Sequence, residues 1–303
     1  MSKKTAAVFV GIISNIIFGF SFIFTKDALE TLGVSNIVFL AHRFMLASAV
    51  MAAIALIRRQ RFSFKGRPWY KLVLLGLCQP VIYFLAANYG LLQSTSTFSA
   101  VIIALVPVVA TMEAMVFLKE RPTWIQTVLC LLSVSAVVVM SYLDTNSGNT
   151  TVWGVALLVV SSVAAGTFNL ISRESREQFT PFERTFAMFV IAAITFTVLA
   201  LVENRSALQL MVQPLFKSSY IVDLLYLGGL SSVVGFFGVN YANTYLPVVQ
   251  ATAFSNITTI VSVMAGIFIL REPFTWVTIP AALVIMTSVW GIQKFDRRDR
   301  HAQ

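Results

Sequence analysis

Charge is what this chain has least of. Asp, Glu, Lys and Arg make up 12% of its 303 residues, against roughly 25% in an ordinary soluble domain. A water-facing shell cannot be assembled from so few charges. With 57% hydrophobic residues and a mean hydropathy of +0.81, the surrounding solvent must be largely lipid. Histidine and cysteine are equally scarce, at two each. Cys78 and Cys130 both sit inside apolar runs, so they read as small packing residues rather than a disulfide or a metal site. HExxH, GxSxG, a Walker loop and zinc-type spacing are all missing, and no cofactor is expected. Period-2 alternation is missing as well, which argues for helices over a barrel.

What is present is a series of apolar runs, near 6–26, 34–57, 70–92, 96–118, 123–143, 151–172, 184–202, 222–245, 248–270 and 275–294. Each approaches the length needed to cross about 30 Å of hydrocarbon at 1.5 Å per residue. The first run follows Lys3 and Lys4 like a signal peptide. It is too long for one and lacks a clear cleavage site, so it reads as a membrane helix. The net charge of +9 does not imply nucleic acid, because the basic residues lie between the runs. With the N-terminus in the cytoplasm, 17 of the 22 Lys and Arg residues fall in inner segments and four (Lys26, Arg205, Lys217 and Arg271) in outer ones. Arg43 alone lies within a span. This asymmetry predicts both termini inside and an even number of crossings.

The chain also repeats itself. Leu72 to Trp124 aligns with Leu224 to Trp276 at a constant shift of 152 without a gap. Gly76 meets Gly228, Phe84 meets Phe236, Asn88-Tyr89 meets Asn240-Tyr241, and Glu120 and Thr123-Trp124 meet Glu272 and Thr275-Trp276. The expected architecture is therefore an all-α integral membrane protein of ten transmembrane helices. Residues 1–147 form one five-helix repeat and 148–303 a second. An odd number of helices per repeat inverts the second against the first, the arrangement of alternating-access transporters with a midplane site. Duplication that merely builds a bundle, as in a channel or membrane enzyme, is the other reading.

These features resemble the drug/metabolite transporter superfamily, EamA type, along nearly the whole chain. Phe18-Gly-Phe-Ser-Phe-Ile-Phe-Thr-Lys26 is similar to the family's aromatic-Gly first helix and His42-Arg43-Phe44 to its Arg-Phe in the second. Ser94 to Glu120, with Ser99-Ala100 and Pro107, is similar to the fourth helix, and Val249 to Glu272 to a degenerate copy. Thr259 stands opposite Pro107, and Glu113 lies outside the family's usual pattern. The resemblance implies secondary transport of small metabolites, often amino-acid export, sometimes of amines, nucleobases or drugs. It implies a central cavity lined by helices one, three, four, six, eight and nine.

Polar groups in hydrocarbon cost free energy unless paired, so each asks for a reason. Gln79 and Tyr83 share a face of the third helix beside Pro80, as a substrate wall or as an interhelical bond next to a kink. Asn15 lies one turn before Gly19 and Phe22, either to bind solute or to glue helices. Asn256 with Ser255 and Thr252, Asn169 and Phe236 are further candidates for the cavity lining. Asn88-Tyr89 and Asn240-Tyr241 read as architecture, and Glu120 and Glu272 as parts of structural turns. Arg43, about 4–5 Å from the expected midplane at 1.5 Å per residue, reads as an anchor on backbone carbonyls or as one partner of a conformation-linked ion pair. Its neighbour His42 reads as a packing residue or a titrating group. Glu113 has three readings: a side chain reaching the cytoplasmic interface, a proton-coupling carboxylate, or an attractor of cationic solutes.

The expected function is an inner-membrane exporter working by alternating access on a small neutral or zwitterionic solute, most plausibly an amino acid. Its expected partners are that solute, the lipid bilayer and protons; no nucleic acid is expected, and monomer and dimer stay open. The alternative is a carrier of organic cations, amines or drugs, bound by aromatic faces. A membrane enzyme or a channel ranks below both.

Overall fold

The computed structural model describes residues 3–60, 66–117, 123–146, 148, 150–203, 208–246, 254–271 and 278–294. All regular structure among them is helical. The expectations placed on Lys119, Glu120, Thr252, Glu272, Thr275 and Trp276 fall outside these residues. Helix α1 is Lys3–Lys26, continued by a wide π-helical turn at Asp27–Thr31. It is followed by α2 (Asn36–Ile57), α3 (Tyr70–Leu91), α4 (Ser96–Phe117), α5 (Trp124–Asn146) and α6 (Val152–Glu174). Then come α7 (Pro181–Glu203), α8 (Ser218–Tyr245), α9 (Ser255–Phe268) and α10 (Thr278–Lys294). Eight of these, α1 to α8, are long and apolar enough to cross a membrane. The described parts of the last two are shorter apolar helices. A short surface segment, Gln209–Val212 and Gln213–Phe216, precedes α8.

The helix starts follow local chemistry. Thr95 accepts a bond from the Phe98 N–H at 3.0 Å, and Thr151 accepts one from Gly154 at 3.0 Å. Each hydroxyl satisfies an N–H that the first helical turn leaves unpaired, a cap typically worth about 1 kcal/mol.

Apolar side chains face outward as well as inward, and polar ones are buried among them. Phe9, Leu56, Ile57, Leu131, Val138, Trp153, Ile194 and Leu283 are exposed, while Ser14, Ser99, Ser161, Ser231, Ser232 and Asn240 are fully buried. Water would drive the reverse arrangement; lipid tails give Leu no reason to leave the surface. The bundle is held instead by close approach and interhelical hydrogen bonds. A Cβ on Gly19 would come within 2.5 Å of the Val261 side chain, and here Ser262 donates to the Gly19 carbonyl at 2.8 Å. Gly76 and Gly228, counterparts in the sequence repeat, play matching parts: Gly76 of α3 lies against Ile191 of α7, and Gly228 of α8 against the Arg43 carbonyl and Leu46 of α2.

The pairings follow from these crossings. Helix α1 packs on α8 and α9, and α6 on α3 and α4, while α2 pairs with α7 and α5 with α10. One apolar core joins α2, α3, α7 and α8 around Phe39, Phe44, Phe189, Phe196 and Tyr220. A second joins α4, α5 and α10 around Phe98, Val101, Val137, Ile285 and Val289. Cys78 and Cys130 are free thiols.

Candidate functional site

Three helices lose regularity along their length, and all three line one cavity. In α3 the backbone at Gln79 is extended (φ −145°, ψ 116°) within a π-helical stretch, Leu77–Ile82, that contains Pro80. In α8 the stretch Leu225–Phe236 is π-helical. Helix α4 breaks between Ile103 and Val106, just before Pro107. Proline supplies no N–H, and widened turns leave carbonyls without their usual partners. Such backbone survives in a membrane only where it faces protein or a cavity.

A cavity of about 180 Å³ lies where these irregular segments converge. Its walls come from α1, α3, α4, α6, α8 and α9, and Arg43 reaches in from α2. From α1 come Asn15, Phe18, Phe22 and Thr25, a single stripe at helical spacing. Helix α3 contributes Gln79, Tyr83 and Phe84, α6 Phe168 and Asn169, and α8 Ser231 and Phe236. Phe236 packs edge-on to Phe18 at 5.0 Å and to Phe84 at 6.0 Å. These rings connect the walls of α1, α3 and α8.

The candidates named from sequence divide into four groups. Gln79, Tyr83 and Asn169 line the cavity half-buried, and their polar ends make no hydrogen bond to another described residue. Phe22 and Phe236 line it as aromatic surface. Asn15 lines it too, but its amide is occupied: Nδ2 donates to the Gly11 carbonyl at 2.8 Å, and Oδ1 accepts from Thr258 at 2.9 Å. Its amide therefore joins α1 to α9.

The remaining three lie off the wall. Ser255, Thr258 and Thr259 form the cavity face of α9. Asn256, one residue beyond Ser255, is rotated about 100° away from that face; its Oδ1 is buried without a partner. His42, one residue before Arg43, is rotated about 100° from it, and its Nδ1 pairs with the Tyr220 hydroxyl at 2.9 Å. Glu113 points from α4 to α6, where Thr167 donates to its Oε1 at 2.8 Å. It is 8% exposed, and its Oε2 is buried without a partner against Gly166. The carboxylate thus sits inside a helix crossing and neither reaches the interface nor faces the cavity.

Arg43 differs from its expectation. Among the described residues it binds no backbone carbonyl. Its Nε donates to Ser232 Oγ at 3.0 Å and its Nη2 to Ser231 Oγ at 3.4 Å, and its guanidinium lies 4.2 Å over the Phe84 ring. Sequence reasoning set it aside because α2 was not expected to form cavity wall. The available signal was that it is the only Lys or Arg within a predicted span.

The sequence profile of the EamA-like transporter family matches residues 5–142 and again 152–293. An uncharacterized transporter, YcxC, of Bacillus subtilis (strain 168) is 31% identical over 294 residues, covering 95% of this chain and 93% of that protein. An uncharacterized transporter of Archaeoglobus fulgidus is 25% identical over 253 residues, covering 82% and 85%. One crystal structure superimposes with a TM-score of 0.66 at 16% identity, over 96% of this chain and 97% of its own, a likeness of fold. This multi-pass membrane protein belongs to the EamA-like transporter family.

Proposed function

We propose that the protein is a carrier exporting small metabolites, amino acids foremost, across the cell membrane by alternating access. The observation that carries this reading is the unpaired polar trio, Gln79, Tyr83 and Asn169, facing an otherwise aromatic and apolar cavity. Polar side chains open to one cavity offer hydrogen bonds that water or a solute must supply. A solute bearing donors and acceptors would complete them, and the rings would take its apolar part.

The alternating-access part of the reading draws on symmetry. The proposed architecture is ten spans in two inverted five-helix repeats, with both termini cytoplasmic. Exchanging α1–α5 with α6–α10 maps the helix pairings onto themselves: α1 on α8 and α9 answers α6 on α3 and α4. The π-helical stretch of α3, shifted by 152, falls within that of α8. The two profile matches divide the chain near the same point. Inverted repeats around a midplane site support rocking of one half against the other. Glu113, held by Thr167 between α4 and α6, is the residue best placed for proton coupling at that moving contact.

Organic cations are the second reading, supported by the rings of Phe18, Phe22, Tyr83 and Phe236 around the cavity. Counterflow in proteoliposomes separates the two. Protein facing a preloaded unlabelled solute should transiently accumulate trace labelled amino acid, saturably. Accumulation of amines alone would favour the second reading. Solute flux without saturation or counterflow would indicate a channel.

A further inference from the structure

We infer that Arg43 is the carboxylate-binding group of the central cavity, so that the solutes it accepts carry a carboxylate. The inference rests on the carrier reading above and names the anchor of the same site.

Among the described residues lining the cavity, Arg43 is the one charged side chain. It is 1% exposed, and no Asp or Glu among the described residues pairs with it. Its partners are two neutral hydroxyls and an aromatic face. These orient the guanidinium without neutralising it. Ser231 is itself held by Ser21 of α1 at 2.8 Å, so the fork is fixed from α1, α2 and α8 together. Nη1 makes no hydrogen bond to a described residue.

Arg184 is equally buried and its described partners are also neutral, but it lies off the cavity; Arg43 is the buried cation that a solute in the cavity would meet. An unneutralised cation this deep is expensive unless an anion joins it in some state. A planar guanidinium with free donors matches a carboxylate in a two-bond, charge-assisted fork. The cavity's unpaired polar side chains, Gln79 and Asn169, and its ring faces are the groups left to meet the ammonium of an amino acid bound this way. A bare amine would add a second positive charge to the same low-dielectric space and be rejected.

The test uses L-alanine, L-leucine and L-phenylalanine, each as acid, amide and decarboxylated amine. Ligand-induced thermal stabilisation of the purified full chain gives affinities, and counterflow gives transport. Among the series that bind, the acid should be tighter than its amide or amine by roughly ten- to a hundredfold. Arg43→Gln should abolish that preference, and Arg43→Lys, a point charge without the fork, should retain part of it. An amide or amine that binds wild type as tightly as its acid overturns the assignment and leaves the carrier standing. So does an Arg43→Gln protein, still monodisperse, that keeps the preference. If no member of the panel moves in counterflow while the protein is monodisperse, the amino-acid reading fails and the assignment falls with it.

Discussion

Asn88 of α3 donates its side-chain amide to the Asn36 side-chain oxygen of α2 at 2.8 Å, with both residues buried. Its counterpart at the 152-residue shift, Asn240 of α8, donates to Thr185 of α7 at 2.8 Å and accepts from Ser172 of α6 at 3.2 Å. Arg184 joins that second site through the Ser172 carbonyl and hydroxyl, at 2.7 and 2.8 Å, and the Thr244 hydroxyl at 2.8 Å. The recurring asparagines therefore tie α3 to α2 and α8 to α7. Asn88→Ala and Asn240→Ala should each lower stability by about 0.6 kcal/mol and at most about 1.7 kcal/mol, the average and upper bound found for hydrogen bonds between membrane helices. Thermal unfolding in detergent reads this directly. Asn240→Ala should leave the affinity for transported solute unchanged.

The α1–α9 crossing should be intolerant of bulk. A side chain at position 19 would meet Val261 at 2.5 Å and the Thr258 carbonyl at 3.1 Å. The Ser262 bond to the Gly19 carbonyl depends on that closeness. Gly19→Ala should cost about 1–3 kcal/mol as overpacking, and Gly19→Leu should cost more. A Gly19→Ala protein with wild-type melting temperature would show that the two helices separate freely.

Residues with unpaired cavity-facing groups should control affinity more than stability. Gln79→Ala and Asn169→Ala each remove one hydrogen-bonding side chain worth about 0.5–1.5 kcal/mol, so KM should rise roughly two- to tenfold. Asn256→Ala, off the cavity face, should leave KM unchanged. Equal effects at all three positions would contradict the face assigned to α9.

Glu113 should matter for turnover rather than binding. Its Oε1 accepts from Thr167 and its Oε2 is enclosed beside Gly166, away from the cavity. Glu113→Gln keeps the shape and the acceptor but cannot take up and release a proton. Transport should fall, with KM little changed and the pH dependence flattened. Unchanged transport across a pH range would leave Glu113 as a helix-packing residue alone.

The apolar runs made most helices legible, since roughly 20 residues of Leu, Val, Ile and Phe have one common solution in lipid. Arg43 shows where the reading ran out. Counting residues from a helix end gives depth but not the partner, and Ser232, which holds its guanidinium, is 189 residues away. Asn256 shows the complementary limit: a polar residue in an apolar run is visible in the sequence, but which face it takes is not, and Ser255, Thr258 and Thr259 form the cavity face. Asn15 was identified as polar and central, yet only the packed α9 reveals that Thr258 occupies its amide. The break at Ile103–Val106 was hidden in an unbroken apolar run, with Pro107 as its one local sign.

The central claim is that the two halves expose one cavity to each side in turn. Two-sided labelling of a single cysteine tests it most directly, using Asn169→Cys in a chain with Cys78 and Cys130 replaced by serine. In oriented proteoliposomes, an impermeant maleimide should label position 169 from either face. A saturating amino acid that undergoes counterflow should slow both rates, and trapping one conformation should leave only one side reactive. Equal labelling from both sides in a trapped state would describe a continuous pore and contradict the account.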